Sequence, residues 1–124
     1  MAEIRRLPDA ELAVMQALWA LNGPGTRAQI GSGLGEGHSM APTTLLTLLS
    51  RLAERGFVAV DRSERSALYT PLVSREEYLA AQSRSFIDKL CGGKVSVLAA
   101  ALCDSGLSRE EIAELRGLLE RDEL

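Results

Sequence analysis

The stretch "MAPTTLLTLLSRLAERG" at residues 40–56 constrains this chain more than any other. Pro42 suits the first turn of a helix, where a missing N–H costs nothing, and Gly56 suits the position just past its end. Between them Leu45, Leu48, Leu49 and Leu52 recur at i, i+3, i+4 and i+7. At 100° per residue these leucines occupy one side. Thr43, Thr47, Ser50 and Glu54 lie nearly opposite, with Thr44 and Arg51 on one flank and Leu46 on the other. One face docks on a core; the other is left outward and is made largely of small hydroxyls.

The rest of the first seventy residues places that helix in context. "DAELAVMQALWAL" at 9–21 puts Leu12, Met15, Leu18 and Trp19 at helical spacing, with Asp9 and Glu11 near the positive end of the helix dipole. "NGPG" ends it. Thr26 and Gln29 form a T-x-x-Q capping box opening a short helix through about Leu34, and "GEGHSM" reads as a loop. After Gly56, "FVAV" and "ALYTP" are β-prone runs flanking the polar "DRSERS", which predicts a hairpin. Three helices followed by a hairpin is the winged-helix order. Two further capping boxes, Ser74 to Glu77 and Ser108 to Glu111, open helices in the remainder, with "KVSVLAAALC" at 94–103 as a short apolar helix between them. The expected fold class is mainly α with a small β-hairpin: a winged helix-turn-helix domain at 1–72 and a helical domain at 73–124.

Charge does not stand against an anionic partner for the first domain. Residues 1–72 hold seven arginines and seven acidic residues, so the net charge of −3 belongs entirely to residues 73–124. The hydroxyl-lined face suits a DNA major groove: short side chains permit close approach, hydroxyls donate or accept, and a Thr methyl or Leu46 can touch a thymine methyl. Arg51 can reach a guanine edge or a phosphate. Arg62 and Arg65, at the hairpin tip, suit backbone phosphates. The DNA-contacting set is therefore Thr43, Thr44, Leu46, Thr47, Ser50, Arg51, Arg62 and Arg65. His38, alone in a loop, is a surface residue.

The second domain carries more apolar positions than about fifty helical residues can cover. Tyr78, Leu79, Phe86, Leu90, Val97, Leu98, Leu102, Ile112, Leu115, Leu118 and Leu119 form stripes that a two-fold copy would bury, making a homodimer. The alternative cover is the chain's own first domain. Cys91 and Cys103 lack any CxxC or histidine-rich context; they read as partly buried thiols of a cytoplasmic protein, and no metal or other cofactor is signalled. No signal peptide and no membrane-length apolar run is present in the sequence. No carboxylate pair or Cys/His couple suggests an enzyme, and "GSGLGEG" follows a helical signal where a dinucleotide loop would follow a strand. The competing reading is a winged-helix module that binds protein, favoured by the neutral first domain.

The chain resembles the penicillinase-repressor (BlaI/MecI) family of bacterial transcription factors, relatives of the CopY regulators. "LPDAELAVMQALW" at 7–19, "MAPTTLLTLLSRLAERGFV" at 40–58, "YTPLVSREEY" at 69–78 and "SGLSREEIAELRGLLE" at 105–120 carry the resemblance. It implies a winged-helix domain followed by a dimerisation domain, and a homodimer that binds a palindromic double-stranded DNA operator and represses transcription. It also implies Thr43, Thr44, Thr47 and Arg51 as operator-facing, with Thr43 standing where the best-known members have lysine. For repressors of β-lactam resistance it implies a membrane sensor-protease and cleavage of an Asn–Phe bond. The aligned positions are Ala100 and Ala101, so that signature is absent, as is the cysteine-rich C-terminal motif of the copper-responsive relatives.

Overall fold

The computed structural model describes residues 4–121. Its elements are α1 (Asp9–Ala20), β1 (Gly25–Thr26), α2 (Arg27–Ser32), a 3₁₀ turn (Glu36–His38), α3 (Pro42–Glu54), β2 (Val58–Asp61), β3 (Leu68–Pro71), α4 (Arg75–Leu90), α5 (Val95–Asp104) and α6 (Arg109–Glu120). They form two compact units that divide after Gln82. The first unit thus runs ten residues past the boundary expected at 72 and takes in the first two turns of α4.

Local chemistry explains most of the element ends. At α2, Thr26 and Gln29 exchange side-chain and backbone hydrogen bonds as a complete capping box; Ser74 with Glu77 and Ser108 with Glu111 do the same at α4 and α6. The end of α3 is a full Schellman motif. Gly56 takes φ +81°, its N–H donates to Ala53 O, and the Phe57 N–H donates to Leu52 O at 2.9 Å. Both Leu52 and Phe57 are buried, so the turn is stapled by an apolar contact as it leads into β2.

The core of the first unit lies where α1, α2 and α3 meet the sheet. Val14, Met15 and Leu18 of α1, Ile30 of α2, Leu45, Leu48, Leu49 and Leu52 of α3, and Phe57, Val58 and Tyr69 of the β-hairpin form one cluster. Leu12 and Trp19, expected to face it directly, are only half-buried. The inward face of α1 instead centres on Glu11, Val14, Met15 and Leu18, with the small Ala13 and Ala17 buried on its flanks. The sheet has three antiparallel strands in the order β1-β3-β2, one more than the hairpin expected from sequence. The added strand is two residues long, pairing Gly25 with Tyr69 and Thr26 with Leu68. A Cβ at Gly25 would require the exposed Leu21 side chain to move aside.

Tyr78 corrects one sequence expectation. The helical pattern places it on the pairing surface, yet it is only 4% exposed and belongs to the first unit's core. Its ring lies 5.8 Å from that of Trp19 and 6.1 Å from that of Phe57, and its hydroxyl accepts the Leu7 N–H at 2.8 Å. Trp19 Nε1 donates to Val73 O at 2.9 Å, and Gln82 Nε2 donates to Ile4 O. An amphipathic tyrosine can bury its ring when its hydroxyl finds a partner, and the backbone of the N-terminal segment supplies one.

The second unit comprises the rest of α4, with α5 and α6. Among its described residues only Cys91 is fully buried; Cys103, expected to be partly buried, is exposed. Leu98, Leu102, Ile112, Leu115 and Leu118 are half-buried, whereas Phe86, Leu90, Val95, Val97 and Leu119 are exposed, Leu90 by 72%.

Candidate nucleic-acid interface

The interface is built on α3. Its leucine side is held in the core, with Leu49 and Leu52 fully buried, and this presents the opposite side to solvent. Thr43, Thr44, Leu46, Thr47, Ser50 and Arg51 are all exposed there, Leu46 by 42%. The helix entry leaves its first turn open: Ala41 makes no side-chain cap and Pro42 follows it. The free N–H groups of that turn, and the positive end of the helix dipole, suit an approaching phosphate. The exposed His38 sits in the 3₁₀ turn just before.

One hydroxyl is already committed. Thr47 Oγ1 donates to Thr43 O at 3.0 Å, one turn back along the helix. The proton is used, and the oxygen lone pairs remain to accept from a base amino group. Thr43, Thr44 and Ser50 retain free choice of donor or acceptor.

The wing is the six-residue turn between β2 and β3. Arg62 and Arg65 are exposed in it. Asp61 closes its first corner by accepting the Ser63 N–H at 2.9 Å. The Ser63 hydroxyl and then its backbone N–H hold the Asp61 carboxyl below the usual carboxylate range, so it is fully ionised at neutral pH. Asp61 and Glu64 balance the two arginines. The wing therefore offers two placed cations within a neutral turn, not a strongly positive field.

Two charged residues that sequence reasoning left aside belong to the machinery that holds α3. Glu11 of α1 is buried and forms an ion pair with Arg55, which follows the last residue of α3. The signal was present: Glu11 occupies the first position of the i, i+3, i+4, i+7 stripe made with Val14, Met15 and Leu18. Its place in the first turn of α1 disguised it as an ordinary dipole partner. Among the described residues no group of three His, Cys, Asp or Glu side chains could hold a metal ion, and no helix is long and apolar enough to cross a membrane.

The sequence matches the family described as "Penicillinase repressor" over residues 7–121. The chain belongs to that family. It is 32% identical to the penicillinase repressor of Bacillus licheniformis over 121 residues, covering 97% of this chain and 94% of that protein. The methicillin resistance regulatory protein MecI of Staphylococcus aureus is 28% identical over 93% of this chain and 94% of its own length. Among solved structures, monomeric Bacillus licheniformis BlaI in complex with the blaP half-operator superposes with a TM-score of 0.51 at 28% identity. That match spans 63% of this chain and 94% of the BlaI chain.

Proposed function

We propose that this family member is a transcriptional repressor that binds a palindromic DNA operator as a homodimer. Thr43, Thr44, Leu46, Thr47, Ser50 and Arg51 read base edges in the major groove, while Arg62 and Arg65 of the wing contact backbone phosphates. The observation that carries this reading is the exposed hydroxyl-rich face of α3, set directly opposite four buried leucines. A helix evolved only to be solvated would fill such positions with long charged residues. The chain acts as a binding protein without catalysis, in the cytoplasm where operator DNA is reached.

The second copy is inferred from the second unit and from Leu79, on the part of α4 that belongs to the first unit. Leu79, Phe86, Leu90, Val97 and Leu119 are exposed, and Leu98, Leu102, Ile112, Leu115 and Leu118 are only half covered. A symmetric partner covers both sets at once. Derepression then follows from loss of pairing. A membrane sensor-protease of the kind the family resemblance implies would need a bond other than Asn–Phe, since Ala100 and Ala101 of α5 stand at the aligned positions.

Selection of duplexes from a random pool tests the reading. The expected result is an inverted repeat whose half-sites are spaced by whole helical turns. Recovery of no consensus would refute it. The neutral charge of residues 1–72 favours a second reading, a module that binds protein. Salt separates the two, because a duplex-binding protein loses affinity steeply as salt rises, with a slope near −0.9 per phosphate contacted.

A further inference from the structure

Among the described residues, Glu11 is the only charged side chain that is buried, at 2% exposure. Its Oε1 meets Nη1 of Arg55, whose side chain is 48% exposed. The two groups sit at helix ends that favour them: a carboxylate in the first turn of α1 and a guanidinium at the C-terminal end of α3. Arg55 lines one cleft with the buried Leu7 and Phe57 and with Arg5, Arg6 and Pro8. Such a pair is not needed to pack α3 against α1, because the leucine stripe already does that. Apolar packing is non-directional, however, and lets a helix turn or slide by small amounts at little cost. An ion pair with a fixed donor and acceptor does not.

We infer that Glu11 and Arg55 are positioning residues: their ion pair sets the tilt and axial rotation of α3 and so decides whether its outer face meets base edges. The inference rests on the DNA-reading function proposed above. The geometry gives it leverage. A helix of 13 residues is about 20 Å long, and Thr43 and Thr44 lie at the end opposite Arg55. A tilt of about 3° about the Arg55 end moves the threonines by roughly 1 Å, twice the tolerance of about 0.5 Å within which a binding constellation works.

The sign of charge makes the test sharp. Glu11→Gln removes a negative charge and so strengthens the general attraction to phosphate; any loss of operator binding in that variant must come from misplacement. The parent chain and the variants Glu11→Gln, Arg55→Gln and Arg55→Lys are titrated with the duplex selected by the parent chain and with a scrambled duplex of equal length, at a temperature where circular dichroism shows each folded. Expected for Glu11→Gln is a loss of roughly 10-fold or more on the selected duplex, with scrambled-duplex affinity unchanged or higher. Arg55→Gln should lose a similar share of its preference, and Arg55→Lys, which keeps the charge but not the planar fork, should recover part of it. Parental preference in either folded glutamine variant overturns the inference. So does failure of both to fold, which would make the pair a stability element only. A parent chain that itself shows no preference between the two duplexes refutes the proposed function, a separate outcome.

Discussion

Tyr78→Phe deletes one oxygen and leaves ring, volume and helix propensity nearly unchanged, so its effect isolates a single hydrogen bond. That bond joins the Leu7 N–H to the Tyr78 hydroxyl at 2.8 Å in a buried setting, with Leu7 2% exposed and Tyr78 4% exposed. Phenylalanine leaves the Leu7 N–H buried without its acceptor. The cost of an orphaned buried donor is about 1–3 kcal/mol. For a domain of this size each kcal/mol lowers the melting temperature by roughly 4–8 °C. The assay is thermal unfolding followed by circular dichroism across at least a hundredfold range of protein concentration. Because the bond lies within one unit, the drop in melting temperature should be the same at every concentration. A residue on the pairing surface would behave otherwise: its effect would shrink toward zero as the protein is diluted and copies separate. A concentration-dependent shift, or none beyond about 1 °C, would refute the placement of Tyr78 in the first unit's core.

Other consequences can be checked as directly. Arg51→Ala and Thr47→Ala should each weaken binding to the selected duplex by about 1–3 kcal/mol while leaving the melting temperature unchanged; parental binding in both would remove α3 as the reading face. Arg62→Ala and Arg65→Ala should weaken selected and scrambled duplexes alike, and each should reduce the slope of log affinity against log salt by about 1. Ending the chain after Cys91 should lower operator affinity by about 10²–10⁴-fold through loss of avidity, with the first unit's unfolding little altered; equal affinities would sink the role given to the second unit. At α4 the backbone N–H and hydroxyl of Ser74 hold the Glu77 carboxyl below its ordinary 4.5. The stabilisation that follows is complete above pH 4.5 and is lost as pH falls through the lower folded value. Ser74→Ala should move the Glu77 carboxyl titration, read by carbon NMR, back up toward 4.5.

What could be read from sequence was what local chemistry decides. The capping boxes at Thr26, Ser74 and Ser108, the proline entry and glycine exit of α3, and the β2–β3 hairpin each follow from a few neighbouring residues, and each is formed in the structure. The facing of α3 was legible too, because its leucines leave one orientation open. What stayed hidden depends on residues far apart in sequence. β1 exists only because β3, more than forty residues on, offers it an edge. Tyr78 looked like one more apolar position on a helix until the Leu7 N–H, 71 residues earlier, came into range. The pairing of Glu11 with Arg55 crosses 44 residues.

The charge balance of the first unit bears on how selective the proposed repressor can be. A strongly cationic domain gains affinity for every duplex alike, and that gain competes with the operator across a genome. Here α3 presents a single arginine among threonines, and the wing arginines are matched by Asp61 and Glu64. General attraction to phosphate is therefore weak, and a larger share of the binding energy falls on base contacts that only the right sequence provides. The absolute affinity lost in this way is restored by joining two reading heads, since avidity multiplies the specific contacts and the weak general ones together. On the proposed homodimer, selectivity comes from the near-neutral first unit and strength from the exposed apolar faces of the second. Adding cations to the wing, as in Glu64→Lys, should then raise affinity for scrambled duplex proportionally more than for operator. A variant that instead gained selectivity would show that general attraction was never the limiting competitor.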